Sequence, residues 1–428
     1  MTIKALYPTV RPTLNLDFAK TKALDPRVTF SRASTGTFVG SNGLIQTAAS
    51  GAARFDHNPA TGESLGLLVE EARTSLLLYS EQLDNAAWSK TNLTVASDAA
   101  ISPSGLLNGD TVVPSATDTY KSLDIGIGVS TGVTYTLSFF AKPAGYNFLV
   151  ISQYVVNNGG DGANCVLDLV NGVITASGPR GGFTLALLSK QSFPNGWARF
   201  SLSFSFGLNN SSAFRFCPVP TGTPTIHPAN SSDIGRPIFT GDGTSGVSLW
   251  GAQVEAGAFP TSYIPTVAST VTRAADVASM TGTNFSSWYN NNQGTYFLNA
   301  VTLNGSTATN TTQDNLIDDG YVYIQDYVGA SVRRRVIAGA SGAFNFNPAQ
   351  APSRRVAVAF DSSSANVAYN GILQSVDTTV SGLPNTASSL RIGATITGLA
   401  LVDQGYITRL AYYPVRLPDA QLQALTAT

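Results

Sequence analysis

"RFSLSFSF", residues 199–206, alternates without a break: Phe200, Leu202, Phe204 and Phe206 fall on one side of an extended chain, Arg199, Ser201, Ser203 and Ser205 on the other. Successive side chains of a strand point to opposite faces, so this pattern predicts a strand with an apolar face on a core and a polar face turned away from it. "TYTLSFFA" (134–141) repeats the pattern with Tyr135, Leu137, Phe139 and Ala141. Asn171-Gly172 in "CVLDLVNGVITASG" (165–178) and Asn370-Gly371 in "NVAYNGILQSV" (366–376) each separate two strand-like runs. Both pairs predict hairpins, because Asn and Gly tolerate the positive φ of tight turns. Helix is confined to two short candidates, "SEQLDNAAW" (80–88) and "LPDAQLQAL" (417–425), the second with Pro418 placed for a first helical turn. The fold class is therefore all-β, built as sandwiches or jelly rolls.

With 40 glycines and 21 prolines the chain is cut into many short pieces, and no repeat of fixed length links them. Charged residues make up 12% of the chain against 43% hydrophobic. That is about half the usual charged share, and it favours a surface partly covered by copies of the chain or by a larger particle. A net charge of −1 leaves no field to gather nucleic acid or anionic lipid. Cys165 and Cys217 sit in apolar runs and are expected to be buried free thiols. The start, "MTIKALYPTV", has no apolar stretch of the signal-peptide kind, and no run approaches a membrane span, so a chain made in a cytoplasm is expected.

The texture divides the 428 residues into an irregular stretch 1–78, a strand-rich stretch 79–265, a polar linker 266–284, and a second strand series 285–428. Two β-sandwich (jelly-roll) domains after an irregular N-terminal segment are expected. At the end of the first sandwich, "LWGAQVEAGAFPTSYIPT" (249–266) reads as a closing strand, with Trp250, Ala252 and Val254 on one face and Leu249, Gly251 and Gln253 on the other. Pro265 then keeps Ile264 extended. Glu255 has no carboxylate or histidine near it in sequence, so the stretch reads as a seam between domains and not as a catalytic centre.

The run "RVTFSRASTGTF…LLVEEARTSLLLYSE", within residues 27–81, resembles the start of bacteriophage head-spike and tail-fibre proteins. The middle stretch is similar to carbohydrate-binding-module sandwiches, which close with a segment like "WGAQVEAGAFPTSYIPT". "RRVAVAFDSSSANVAYNGILQSV", "SLRIGA" and "GYITRLAYYPVRLPDAQLQAL" resemble concanavalin-like and laminin-G-like jelly rolls. The resemblance implies a virion structural protein, a head spike or tail fibre assembled as a homotrimer in the host cytoplasm. Residues 1–78 would attach it to capsid or tail proteins, and the terminal jelly roll would face a host-surface glycan. A capsid decoration protein without receptor binding and a glycan-degrading spike are the alternatives.

No catalytic set stands out. His57 and His227 are the only histidines, and neither belongs to a nucleophile motif. Glu70 and Glu71 are adjacent, so a strand would send them to opposite faces; Asp318 and Asp319 open a turn into "GYVYIQDYVG". Binding candidates are aromatic. Tyr321, Tyr323 and Tyr327 share one face of an expected strand, available to stack on sugars or to meet another subunit, while Val322, Ile324 and Val328 suit a core. Trp288 and Tyr289 form a second aromatic cluster beside amides, and Arg333 and Arg335 could meet acidic glycans or a partner's carboxylates. Trp250 and Trp88 read as structural. No cofactor is expected; a structural Ca²⁺ is the one metal considered, at the oxygen-rich loops 157–164 or around Asp242.

Overall fold

The structure, a computed structural model, describes residues 7–155, 162–179, 184–205, 211–226, 235–302, 313–328, 332–338, 342–346, 353–374, 387–393 and 405–427. The two alternating strands of the sequence become neighbours. Thr134–Ala144 pairs antiparallel with Ala198–Ser205, which sets Tyr135 opposite Phe204, Leu137 opposite Leu202 and Phe139 opposite Phe200. Cross-strand partners share a face, so the apolar halves combine; the Tyr135–Phe204 and Phe139–Phe200 rings stack at 5.7 and 5.9 Å. They lie in a six-stranded sheet ordered Thr184–Ser192, Ala198–Ser205, Thr134–Ala144, Gly246–Ala256, Leu107–Pro114, Leu93–Ile101. A second six-stranded sheet covers the apolar face, and Phe139–Phe216 and Phe204–Phe214 edge contacts at 5.4 and 4.8 Å bridge the layers. This is the middle sandwich, and the fold is all-β as the alternation predicts.

The terminal sandwich is not made by residues 285–428 alone, and this corrects the expectation of an irregular, separate N-terminal segment. Strand Gly405–Tyr413 pairs with Gln293–Thr302 on one edge. On its other edge it pairs with two N-terminal strands, Ser64–Val69 near its start and Leu14–Asp17 near its end. In the facing sheet, Thr29–Ser31 adds to Val277–Thr281. Leu14, Leu16, Phe18, Val28, Leu67 and Val69 thus share one buried cluster with Tyr296, Leu298, Val358, Leu390 and Leu410. The physical reason is an edge that needs covering: the exposed backbone of Gly405–Tyr413 is satisfied by strands from the far end of the chain. The expected linker 266–284 is likewise structured, with Val271–Arg273 paired to Arg73–Ser75 and Val277–Thr281 paired to Ser389–Ile392. The C-terminal helix, Asp419–Thr426, begins after Pro418 as expected and lays Leu422 on Phe297, Ala357 and Ala411 of the outer sheet face.

Three local readings change. Residues 80–88 form turns in place of the expected helix, because Asn85 Oδ1 takes the Ala87 N–H (2.9 Å) and Asp110 Oδ2 takes that of Leu83 (2.7 Å). Asn370 and Gly371 adopt the paired positive φ (43° and 80°) of the predicted tight turn. Asn171-Gly172 instead closes a longer turn, in which Asp168 Oδ1 accepts the N–H groups of Val170 and Asn171 at 2.9 Å. In the closing strand, Gly251 has φ 62° and the register against Thr134–Ala144 slips between Ser138 and Phe140. This bulge exchanges the expected sides of Leu249 and Trp250, while Ala252 and Val254 keep the shared face expected of them. Val247, Leu249, Ala252 and Val254 face the sandwich core, whereas Trp250 turns outward onto Phe140 and Tyr263.

Candidate functional site

Three of the aromatic residues singled out as binding candidates are core residues. Trp288 and Tyr289 are 3% and 9% exposed and pack with Phe285, Tyr296 and Tyr412. The Trp288 indole N–H donates to Asn284 O at 2.8 Å. Tyr321 is buried against Phe360, because it precedes the strand Val322–Val328 and its N–H is tied to Asp319 Oδ1 (2.8 Å). None of these three rings is offered to a ligand. Val322 and Ile324 are core, as read. The register sets Tyr327 opposite Arg333 and Gln325 opposite Arg335, and Tyr323 opposite Ile337. The side chains of Tyr323, Tyr327, Arg333 and Arg335 lie outside the described residues. Trp250 and Trp88 are buried, as the structural reading requires. Of the two loops considered for Ca²⁺, the first, 157–164, has residues 157–161 outside the described residues. At the other, Asp242 Oδ1 accepts the Thr244 and Ser245 N–H groups (2.8 and 2.6 Å), the pattern of a capped turn. Among the described residues no group of three or more His, Cys, Asp or Glu side chains converges.

What the fold brings together is a seam between the two sandwiches. Arg54, on the strand Arg54–His57, reaches Glu70 Oε2 (2.7 Å), Thr37 O (2.9 Å), Ser262 Oγ (2.7 Å) and the Asp276 carboxylate. Arg32 reaches Asp276 Oδ1 at 3.1 Å, and Arg273 Nε lies 3.5 Å from Glu70 Oε2. All five charged side chains are buried, and Glu70 also accepts from Ser262 N (2.7 Å) and Oγ (2.6 Å). Burial alone would raise the Glu70 carboxyl, but Arg273 and Arg54 beside it hold it down at about 2. Glu71 is paired elsewhere, with Arg73, so the two adjacent glutamates do not share a site, as the sequence implies. Glu255 accepts from Thr261 N at 3.0 Å and from its hydroxyl, and so fixes the turn 257–263. The stretch 249–266 is a seam in the literal sense.

Beside this cluster lies a cavity of about 1070 Å³. Its floor is the polar face of Ala198–Ser205: Arg199, Ser201, Ser203 and Ser205, spaced two apart, with Ser189 and Gln191 from the neighbouring strand. Its roof is the turn Gly257–Tyr263. Its inner wall is Asp56, Leu68, Glu70 and Tyr406, contributed by the terminal sandwich, with Phe38 and Val39 from the hairpin Gly36–Val39/Ile45–Ala48. The rim reaches solvent, where Gly132, Thr134, Ala186, Ser189 and Gln191 are exposed. Both apolar rings (Phe38, Phe140, Phe193, Phe259) and side-chain hydroxyls belong to the lining.

Electrostatically the cavity is uneven. Burial pushes the Asp56 carboxyl up to about 6, although the N–H groups of Val39 and His57 and the Tyr406 hydroxyl lean the other way. Arg199 is drawn below its ordinary value, again by burial. Its Nη2 donates to Ser138 Oγ (2.9 Å) and Thr261 O (2.8 Å), and its guanidinium lies over the Phe140 ring at 5.5 Å. Sequence reasoning passed over this site because alternation marks Arg199 and the serines as a polar face, and a polar face is ordinarily assigned to water. The available signal was scarcity: with so few charges in the chain, an arginine heading an unbroken serine row is unlike a random solubilising charge.

No family model matches the chain, and no curated protein matches it. Matches among solved structures include the carbohydrate-binding module of the Ruminococcus gnavus intramolecular trans-sialidase bound to α2,3-sialyllactose, at 18% identity over 32% of this chain and 84% of that one, TM-score 0.27. Domain 4 of the Geobacillus stearothermophilus arabinanase AbnA in complex with arabinotriose matches at 15% identity over 40% and 82%, TM-score 0.26. A heptameric pentraxin of Limulus polyphemus matches at 12% identity over 32% and 70%, TM-score 0.25. Likeness at this level identifies neither a family nor a ligand.

Proposed function

We propose that the chain is a non-enzymatic, glycan-binding appendage protein of a bacteriophage particle, and that the seam cavity is its saccharide site. The observation that carries the binding reading is the cavity: a solvent-reaching volume of about 1070 Å³ lined by both hydroxyls and aromatic rings, between two sandwiches that Ser262 links through its hydrogen bonds to Arg54 and Glu70. Its size suits an oligosaccharide, whose hydroxyls need partners and whose ring faces need apolar contact. The virion setting rests on the sequence resemblance of residues 27–81, whose quoted motifs supply Arg32 and Glu70 to the seam. Low charge and the exposed Ile101, Leu106 and Leu107 favour assembly with copies of itself, as a trimer, on capsid or tail proteins. Light scattering during size-exclusion chromatography reads the assembly state directly: a trimer mass supports this part, and a stable monomer removes it.

Binding is tested on an array of bacterial surface glycans with the intact chain, Ser203→Trp, which fills the cavity from its floor, and Ser203→Ala. The reading expects the tryptophan variant alone to lose binding while keeping its unfolding midpoint. Undiminished binding by a folded Ser203→Trp would overturn it.

A hydrolytic reading has one observation on its side: Asp56, pushed up to about 6, and Glu70, held at about 2, line the same cavity, an acid–nucleophile type of contrast. Against it, Glu70 has both oxygens occupied by Arg54, Arg273 and Ser262, and Asp56 Oδ1 accepts two backbone N–H groups. Release of reducing ends from a bound glycan would decide for hydrolysis; binding without release would decide for recognition.

A further inference from the structure

We infer that the seam cavity selects acidic saccharides, with Arg199 as the anchor for a ligand carboxylate; this rests on the cavity being the glycan site. The fully buried arginines of this chain set the comparison. Arg32 meets Asp276, Arg54 meets Glu70 and Asp276, Arg273 meets Glu70, and Arg215 meets Asp124. Each carries a carboxylate within ion-pair distance, as a buried charge requires.

Arg199, half-buried on the cavity wall, differs from these four. Among the described residues it has no carboxylate within ion-pair distance, and its Nε–H has no hydrogen-bond partner. Glu255 and Glu70 act on it only through space, the first bonded to Thr261 and the second enclosed by Arg54, Arg273 and Ser262. Its Nη2 is held by Ser138 and Thr261, so the guanidinium is fixed in place and stacked on Phe140. A fixed guanidinium on a cavity wall, with no carboxylate of its own, is placed to give a ligand carboxylate a charge-assisted hydrogen bond. Ser201, Ser203 and Ser205 continue from it along the floor and supply hydroxyls for the rest of the sugar. Asp56, the carboxyl on the inner wall with no arginine within ion-pair distance among the described residues, is pushed toward its neutral form, which lessens its repulsion of an anion.

Calorimetric titration with an oligogalacturonate and with its methyl ester, which differ only in the carboxylate, tests this. The intact chain is expected to bind the acid about tenfold more tightly than the ester. Arg199→Gln should abolish that preference, and Arg199→Lys, a mobile point charge in place of the fixed guanidinium, should keep a weaker one whose size falls with added salt. Thermal midpoints of both variants show whether the floor strand is intact. Equal affinity for acid and ester, with both lost in Ser203→Trp, would overturn the anionic selectivity and leave the cavity as the glycan site. Acid preference that survives in Arg199→Gln would assign the anchor elsewhere and overturn the role of Arg199. Absence of binding to any glycan would overturn both readings together.

Discussion

Arg54→Met is the substitution that most sharply probes how the chain is held together. Methionine keeps the length of the side chain and none of its donors. Lost are the contacts to Glu70 Oε2 (2.7 Å), Thr37 O (2.9 Å), Ser262 Oγ (2.7 Å) and the Asp276 carboxylate, which join four separate stretches of sequence. Glu70 keeps Arg273 and Ser262; Asp276 keeps Arg32 and the Glu70 N–H (2.9 Å). Two buried carboxylates nevertheless lose a shared cation, which costs on the order of 3–5 kcal/mol. In a unit the size of one sandwich that corresponds to roughly 10 °C in Tm. Urea unfolding gives the energy, and hydrogen exchange should show the loosening centred on residues 37–39 and 262–264. A pH series adds an independent sign. The Glu70 carboxyl is held at about 2 against an ordinary value of 4.5, so its stabilisation is complete above pH 4.5 and is lost as pH falls from 4.5 to 2. That loss is about 3 kcal/mol in the intact chain and smaller in Arg54→Met. A variant within about 0.5 kcal/mol of the parent, with the same acid profile, would refute the claim that this cluster ties the sandwiches.

Asp319, whose carboxyl burial pushes up to about 6 from 3.8, gives the opposite pH slope: folding favours its neutral form, so stability is greatest below pH 3.8 and falls as pH rises through 6. Asp319→Asn should flatten urea midpoints between pH 4 and 6; an unchanged slope would count against this. Trp250→Ala should cost about 3–5 kcal/mol by emptying the space against Phe140 and Tyr263. Gly251→Ala should cost about 1–3 kcal/mol, since φ is 62° and the new Cβ would stand 3.0 Å from Phe140 Cδ2. Cys165 and Cys217 are buried, and burial pushes the Cys165 thiol up to about 12, so neither should react with a thiol reagent until urea unfolds the chain.

Where alternation was long, the sequence was readable. Residues 134–141 and 199–205 are the strands, faces and core contacts that period-2 patterning describes. Short strands were not readable: Leu14–Asp17 and Arg54–His57 are four residues each, too brief for a pattern, and Leu14–Asp17 pairs with residues almost 400 positions away. A single positive-φ glycine exchanged the faces of Leu249 and Trp250 relative to Ala252 and Val254, because one extra residue in a strand exchanges in for out. The aromatic candidates failed for a related reason. Ring clusters serve cores and sugar sites alike, and Phe285 and Tyr412, which claim Trp288 and Tyr289, are distant or unmarked in sequence. The site itself was half visible: the row Arg199-Ser201-Ser203-Ser205 was plain, but only the tertiary fold places a second sandwich over it.

The most direct test of the account is a crystal structure of the intact chain with an acidic oligosaccharide that it binds. The account predicts density along the serine row of Ala198–Ser205, beneath the turn Gly257–Tyr263, with the sugar carboxylate against Arg199. A saccharide seated on another face, with the seam cavity left to water, would contradict it.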